Sequence, residues 1–224
     1  MSSTGTGPGP ITADGCAVEL YLQFPHQGEA DLIHDAAPAG ASVLDLGCGT
    51  GRIAHPLIEL GHPVTAVDSS EEMLACVRGA QTVRSEVADL DLGRSFDVVL
   101  MASHLVNTPD RDERRALLTA AARHLAASGL LIAEQHPPEW FDVVADRSGG
   151  HIGDVRADLT DVHRDGDVVS ATIRYWSGEQ MWTQSFDARR LDDHLLRAEL
   201  LAVGLSFDRW LRADKSWFAA RRAG

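Results

Sequence analysis

The sequence predicts an α/β fold, a doubly wound sheet whose strands run largely parallel. Two observations carry that prediction. As far as Glu134, short apolar runs alternate with stretches of helical periodicity, the order that joins parallel strands through helical crossovers. The run Val43-Leu44-Asp45-Leu46 also passes directly into Gly47-Cys48-Gly49-Thr50-Gly51-Arg52, three glycines at every second position, and then into a helical stretch. Glycine is needed where the backbone takes positive φ or must approach a ligand closely. A strand, a glycine loop and a helix start together make a site for a nucleoside-bearing ligand. The 224 residues suffice for one such domain with a sizeable core.

Taken in order, residues 1–15 are rich in Gly, Ser, Thr and Pro and are expected to form a disordered tail before a single domain over 16–224. Residues 17–37 read as two short helical pieces separated at Pro25. The first sheet strand is 42–46. A helix follows from about Gly51, is disturbed at Pro56 and ends at Gly61. The second strand, 63–67, ends at Asp68, after which Ser69-Ser70-Glu71-Glu72 reads as a capping box led by Ser69. The third strand, 82–87, leads into Ala88-Asp89-Leu90. The fourth, 96–102, is apolar throughout apart from Asp97. Thr108-Pro109 places a proline at the first position of the next helix, whose buried face is Leu117, Leu118, Ala121 and Leu125 and which Gly129 ends. The fifth strand is 130–134.

Beyond His136 the pattern changes. Pro137-Pro138-Glu139-Trp140 reads as a turn and 147–153 as a polar loop. Residues 155–163, 168–176 and 180–186 alternate in polarity, with hairpin turns at Asp165-Gly166 and Ser177-Gly178, so an antiparallel excursion of two or three strands is expected. A helix over 189–203 stops at Gly204, and 205–211 and 216–221 complete seven strands of the main sheet.

The net charge is -13, and residues 1–110 hold 15 acids against 4 arginines. Such a surface repels phosphate backbones, so no nucleic-acid partner is expected. The 3 cysteines form no C-x-x-C pair, which argues against a disulfide framework or a zinc site; no bound metal is expected. There is no basic stretch followed by an apolar run at the start of the sequence and no apolar stretch of bilayer length, so the expectation is a soluble, cytoplasmic protein without membrane contact.

The glycine spacing discriminates between nucleoside ligands. Dinucleotide sites use G-x-G-x-x-G, whereas this loop is D-x-G-x-G-x-G, with Asp45 two residues before the first glycine. A pyrophosphate is repelled by Asp45 and a ligand bearing an ammonium is attracted to it, which favours S-adenosylmethionine over NAD. Val43 to Gly51, VLDLGCGTG, closely resembles the first motif of the class I S-adenosylmethionine-dependent methyltransferases, and the resemblance extends over roughly residues 41–137. It implies a Rossmann-like methyltransferase sheet of seven strands with a terminal antiparallel hairpin, and a small-molecule type of enzyme. It also implies a cap over the cofactor from residues 17–37, and an excursion, about 138–187, that shapes the acceptor pocket.

Each charged or polar part of the cofactor needs a partner. The methionine ammonium is expected at Asp45 and the carbonyls of the loop Gly47, Cys48, Gly49 and Gly51. Asp68, 17 residues after Gly51, is expected to accept from both ribose hydroxyls. Asp89 resembles the acid that accepts from the adenine amine, and Met73, Leu90 and Met101 are candidates for the walls of the ring. Ser69, Ala88, Ala102 and Ser103 share these strand ends and complete the expected cofactor set. His104 and His136 follow the fourth and fifth strands and are the candidate general bases for an acceptor that must lose a proton. Tyr21 and His26 in the cap, with Trp140, Tyr175, Trp176 and Trp182 on or before the excursion, are candidates for acceptor contacts. Cys48 needs only to be small and receives no redox role. Two other readings stay open at this point: an NAD-dependent oxidoreductase, disfavoured by the glycine spacing, and a non-catalytic module that binds S-adenosylmethionine or its product. The Asp/Asn-Pro-Pro-aromatic signature of DNA amine methyltransferases is absent from 102–109. The acceptor atom, whether N, O or C, and the oligomeric state are open.

Overall fold

Val98 and Leu100 pack into one apolar cluster and Val99 and Met101 into another on the opposite side of the same strand. Both faces are covered, which is why this stretch reads as one continuous apolar run. The computed structural model describes residues 4–224. In chain order its elements are β1 (Thr4–Thr6), α1 (Val18–Tyr21), α2 (Glu29–Ala36), β2 (Val43–Leu46), α3 (Ala54–Glu59), β3 (Val64–Asp68), α4 (Glu71–Leu74), β4 (Gln81–Arg84), β5 (Phe96–Met101), α5 (Arg111–His124) and β6 (Leu125–Glu134). They continue as α6 (Trp140–Val143), β7 (Gly149–Ile152), β8 (Val155–Asp165), β9 (Val168–Ser177), β10 (Gln180–Arg189), α7 (Asp193–Ala202), β11 (Leu205–Trp210) and β12 (Trp217–Arg222).

The larger sheet runs β11-β12-β6-β5-β2-β3-β4. Strands β2 to β6 are parallel, while β12 pairs antiparallel with β6 and β11 with β12. This is the seven-stranded, doubly wound sheet with a terminal antiparallel hairpin. β2 lies between β5 and β3, so the winding reverses there, and the carboxyl ends of these strands are where sheets of this kind bind ligands. Ala30, Ile33, Ala54 and Leu57 of α2 and α3 cover one face; Leu117, Leu118, Leu196 and Leu200 of α5 and α7 cover the other. Glu199 is buried between α5 and α7, where Arg111 and Arg115 both donate to it. Those charge-assisted bonds offset the cost of burying a carboxylate.

Several boundaries depart from the sequence expectation. The cap of α4 is Ser70, whose hydroxyl accepts from Met73 N at 3.2 Å, one residue later than the expected Ser69. Pro109 precedes α5 rather than opening it; Asp110 is the N-cap and accepts from Glu113 N. That helix ends at His124, not Gly129, because Leu125 already pairs with Phe96. The third strand is four residues long and residues 87–89 form a 3₁₀ turn, since β4 is an edge strand with exposed positions.

The excursion is larger than expected. β1, β10, β9, β8 and β7 form a second, fully antiparallel sheet in that order. β7 lies in the stretch expected to be a loop. The expectation of a disordered 1–15 is corrected over the described part: Thr4–Thr6 pair with residues 183–185, and Trp182 Nε1 donates to Pro8 O at 2.9 Å. Residues 1–3 lie outside the described residues. A three-residue strand of Thr-Gly-Thr has no apolar face of its own, and its order derives from the edge of β10. No helix among the described residues is long and apolar enough to cross a membrane.

Candidate cofactor and acceptor site

The glycine loop leaves β2 at the point where the sheet reverses. Gly47 N and Cys48 N both donate to Val67 O at 2.9 Å, which bends the chain over the end of β3. Gly49 takes φ 54, and a Cβ placed there points into open space. Gly47 takes φ 72, with a Leu105 methyl 3.0 Å from where its Cβ would stand. Leu105 is therefore an apolar neighbour of the loop that no local sequence pattern marks.

Asp68 closes the loop from the adjacent strand. One carboxylate oxygen accepts from Gly49 N and the other from Ser70 N, each at 2.9 Å. Each oxygen keeps a lone pair for a further donor, the arrangement that two ribose hydroxyls require. Burial raises the Asp68 pKa and the two amides oppose that rise. Asp45 is 2% exposed at the centre of the sheet. Burial pushes its carboxyl up to about 7, against the pull of the Arg52 guanidinium. A buried carboxyl in this condition is completed by a ligand that brings a positive charge, so the donor set fits the ammonium of S-adenosylmethionine.

Other expected cofactor contacts divide. Asp89 and Ala88 are exposed in the turn after β4, and Ser69 is exposed beyond β3. Met101 and Leu90 belong wholly to the core beneath the sheet, and Met73 is equally buried, so these three side chains pack the fold. Cys48 turns back against Ala66 and Val77. Ala102 is buried and Ser103 exposed. Ser103 N donates to Glu134 Oε2 at 2.8 Å, a bond that ties the ends of β5 and β6 together.

Ser103 and His104 both take left-handed backbone conformations, φ 56 and 61. This turn aims His104 at His136. The two imidazoles stack with centroids 3.8 Å apart, and Trp140 stacks on the far side of His136 at 4.2 Å. Phe186 of β10 approaches His136 to 6.2 Å. The backbone is held by Asn107, which accepts from His136 N at 2.9 Å and donates to Arg189 O at 2.8 Å. Burial lowers the pKa of His104, with Glu134 opposing; burial and the neighbouring His104 hold His136 well below its usual range. Burial thus disfavours the charged form of both rings. His104 Nδ1 is buried without a hydrogen-bond partner among the described residues. A buried unpaired nitrogen costs free energy until a ligand engages it.

The aromatic candidates on the excursion separate by strand parity. Tyr175 and Trp182 face inward with Leu20 and Ala17 and are core residues. Trp182 is 1% exposed, too deep for an acceptor contact. Trp176 lies on the opposite face of β9, beneath the guanidinium of Arg156 at 4.3 Å, and so faces away from the cleft. Tyr21 is half-buried in the cap. Its carbonyl accepts from Thr50 Oγ1 at 3.4 Å and its hydroxyl donates to Gln184 Oε1 at 3.1 Å, linking the glycine loop to β10. His26 is exposed before α2. Asn107, Gln184, Phe186 and Leu105 are the neighbours that sequence reasoning missed; each gains its place through contacts distant in sequence.

Comparison with known proteins agrees with this geometry. Residues 43–129 match the family described as "Methyltransferase domain". The chain is 31% identical over 185 residues to the cypemycin N-terminal methyltransferase of a Streptomyces species, covering 77% of this chain and 73% of that one. It is 34% identical over 148 residues to the dTDP-3-amino-3,4,6-trideoxy-alpha-D-glucopyranose N,N-dimethyltransferase of Streptomyces venezuelae, covering 63% of this chain and 57% of the relative. Its fold matches the crystal structure of the CcbJ methyltransferase from Streptomyces caelestis with a TM-score of 0.76, at 22% identity over 92% of this chain and 96% of that one.

Proposed function

The chain belongs to the class I S-adenosylmethionine-dependent methyltransferases, and from that premise we propose that it methylates an amine nitrogen on a small molecule or at the amino end of a peptide. When bound, S-adenosylmethionine supplies a methyl group on a positively charged sulfur. Asp68 accepts the ribose hydroxyls, Asp45 the methionine ammonium and Asp89 the adenine amine. These acids occupy the ends of β2 and β3 and the turn after β4, so the methyl faces the ends of β5 and β6. Residues 16–224 act as one catalytic domain, and the excursion of about 138–187 covers the acceptor.

The observation that carries the amine reading is the stack of His104 on His136 at 3.8 Å, where burial lowers both pKa values and leaves weak bases that suit an amine better than a hydroxyl. An amine attacks through its lone pair, so an ammonium must first lose a proton. A neutral imidazole at this position accepts that proton. An N–C bond then forms as the C–S bond breaks, with the bonding pair left on sulfur. Trp140 and Phe186 wall the acceptor and exclude water. The names of both relatives support the reading, one describing an N-terminal and the other an amino-sugar N-methylation.

The test is incubation with S-adenosylmethionine and a panel of amino-sugar nucleotides and peptides with free amino ends. Mass spectrometry should find methyl groups on nitrogen, and none on the N-acetylated counterparts. Transfer only to matched hydroxyl acceptors would sink the amine reading.

A further inference from the structure

His104 stacks on His136 and His136 on Trp140, yet the three rings stand on three segments: past the end of β5, past the end of β6 and at the start of α6. The polar bonds that hold those segments converge on Arg189, the last residue of β10, and on Arg190 after it. Asn107 is 1% exposed. Its backbone N donates to His104 O at 2.8 Å, its Oδ1 accepts from His136 N at 2.9 Å and its Nδ2 donates to Arg189 O at 2.8 Å. These partners fix the orientation of the carboxamide, since an N–H needs its oxygen and a carbonyl needs its nitrogen. One residue further, Arg190 donates to both carboxylate oxygens of Asp142 on α6, at 2.6 and 3.0 Å. Arg164 of β8 adds bonds to Phe141 O and Val144 O. A helix of four residues without a side-chain cap does not hold its own direction, and this one carries Trp140.

We propose that the end of β10 is the frame of this three-ring stack, with Asn107 and Arg190 as its positioning residues. Asn107 ties the His136 backbone to Arg189, and Arg190 sets Trp140 through the two-bond fork to Asp142. Its role in methyl transfer rests on the reading that the histidines take the acceptor's proton and Trp140 walls the acceptor. The second sheet then places the wall and the bases together, because both are fixed to adjacent residues of one strand end. The two substitutions separate these roles. Asn107→Ala leaves His136 N and Arg189 O without partners and frees the imidazole segment. Arg190→Gln keeps that tie and frees only α6 with Trp140.

Proton NMR of the histidine rings, with steady-state methylation kinetics, tests this on the full chain. The His136 ring lies between two others, so ring currents should displace its resonances from those of the exposed His26. Asn107→Ala should move them toward His26 and lower kcat by about 10- to 100-fold, with S-adenosylmethionine affinity nearly unchanged. Arg190→Gln should also move them, through loss of the Trp140 ring current, and raise the acceptor KM severalfold at nearly unchanged kcat. A residue that only stabilised the fold would lower the melting temperature and leave these resonances in place. Unmoved His136 resonances in either folded variant overturn the proposal. Should Asn107→Ala fail to fold, Arg190→Gln still decides, because it breaks a partly exposed ion pair that contributes little to stability. Failure of the underlying reading is distinct. Moved resonances with normal kcat and KM leave the frame standing and remove the histidines and Trp140 from the reaction.

Discussion

The rings of His104 and His136 stand 3.8 Å apart with an interplanar angle of 18°, at the ends of adjacent parallel strands. Stacked this closely and half-buried, neither ring gains a proton easily. The same contact that orders them therefore favours their unprotonated form while weakening them as bases.

From this follows the first expectation. His104→Ala or His136→Ala should slow single-turnover methylation of an amine by about a hundredfold near pH 7, with cofactor affinity nearly unchanged. The deficit should shrink as pH rises and the acceptor amine loses its proton to solvent. Near-normal rates in both variants at pH 7, or a deficit constant with pH, would remove the base assignment and point to Glu134.

Asp68 carries the second. Asp68→Ala removes the acceptors for Gly49 N and Ser70 N as well as those offered to ribose. Affinity for S-adenosylmethionine should fall by about 10- to 100-fold, since charge-assisted hydrogen bonds contribute about 1.5–3 kcal/mol each. Unchanged affinity by calorimetry, in a variant that circular dichroism shows to be folded, would falsify the ribose assignment.

The third concerns pH. The folded, unliganded Asp45 has its pKa raised from 3.8 to about 7. Its contribution to stability is therefore fully present below pH 3.8 and is lost as pH rises through about 7. A cationic ligand prefers the carboxylate, so the cofactor has the opposite dependence: its affinity rises with pH over the same range and levels off above 7. Melting temperatures measured between pH 5.5 and 8.5, with and without S-adenosylmethionine, should show a ligand-induced increase that grows with pH. An increase independent of pH would place the ammonium elsewhere.

Trp182 gives the fourth. Its indole is 1% exposed and donates to Pro8 O. Trp182→Phe should cost about 1–3 kcal/mol through the lost bond and the void, read by urea unfolding, and leave the acceptor KM nearly unchanged. A raised KM at unaltered stability would return this residue to the acceptor site.

The cofactor half of the site was legible in the sequence because its signals are local. A strand, three alternating glycines and an acid at the end of the next strand are short-range features with one geometric solution, and the order of strands and helices follows from hydrophobic period alone. That is why Asp45, the glycine loop and Asp68 stand together where the spacing puts them. The acceptor half depended on tertiary structure. Which of Tyr175 and Trp176 faces inward is set by the registration of β9 against β8 and β10, and one residue of slip reverses it. The ordering of Thr4–Thr6 comes from an edge more than 170 residues away in sequence, through pairing with Ser185, Gln184 and Thr183. The pairing of His104 with His136 needs β5 and β6 to be adjacent and Ser103 and His104 to take left-handed turns. Local sequence determined the loop that meets the cofactor, because its geometry is fixed within a few residues. Only the closed sheets decided what faces the acceptor, because that depends on which distant strands share an edge.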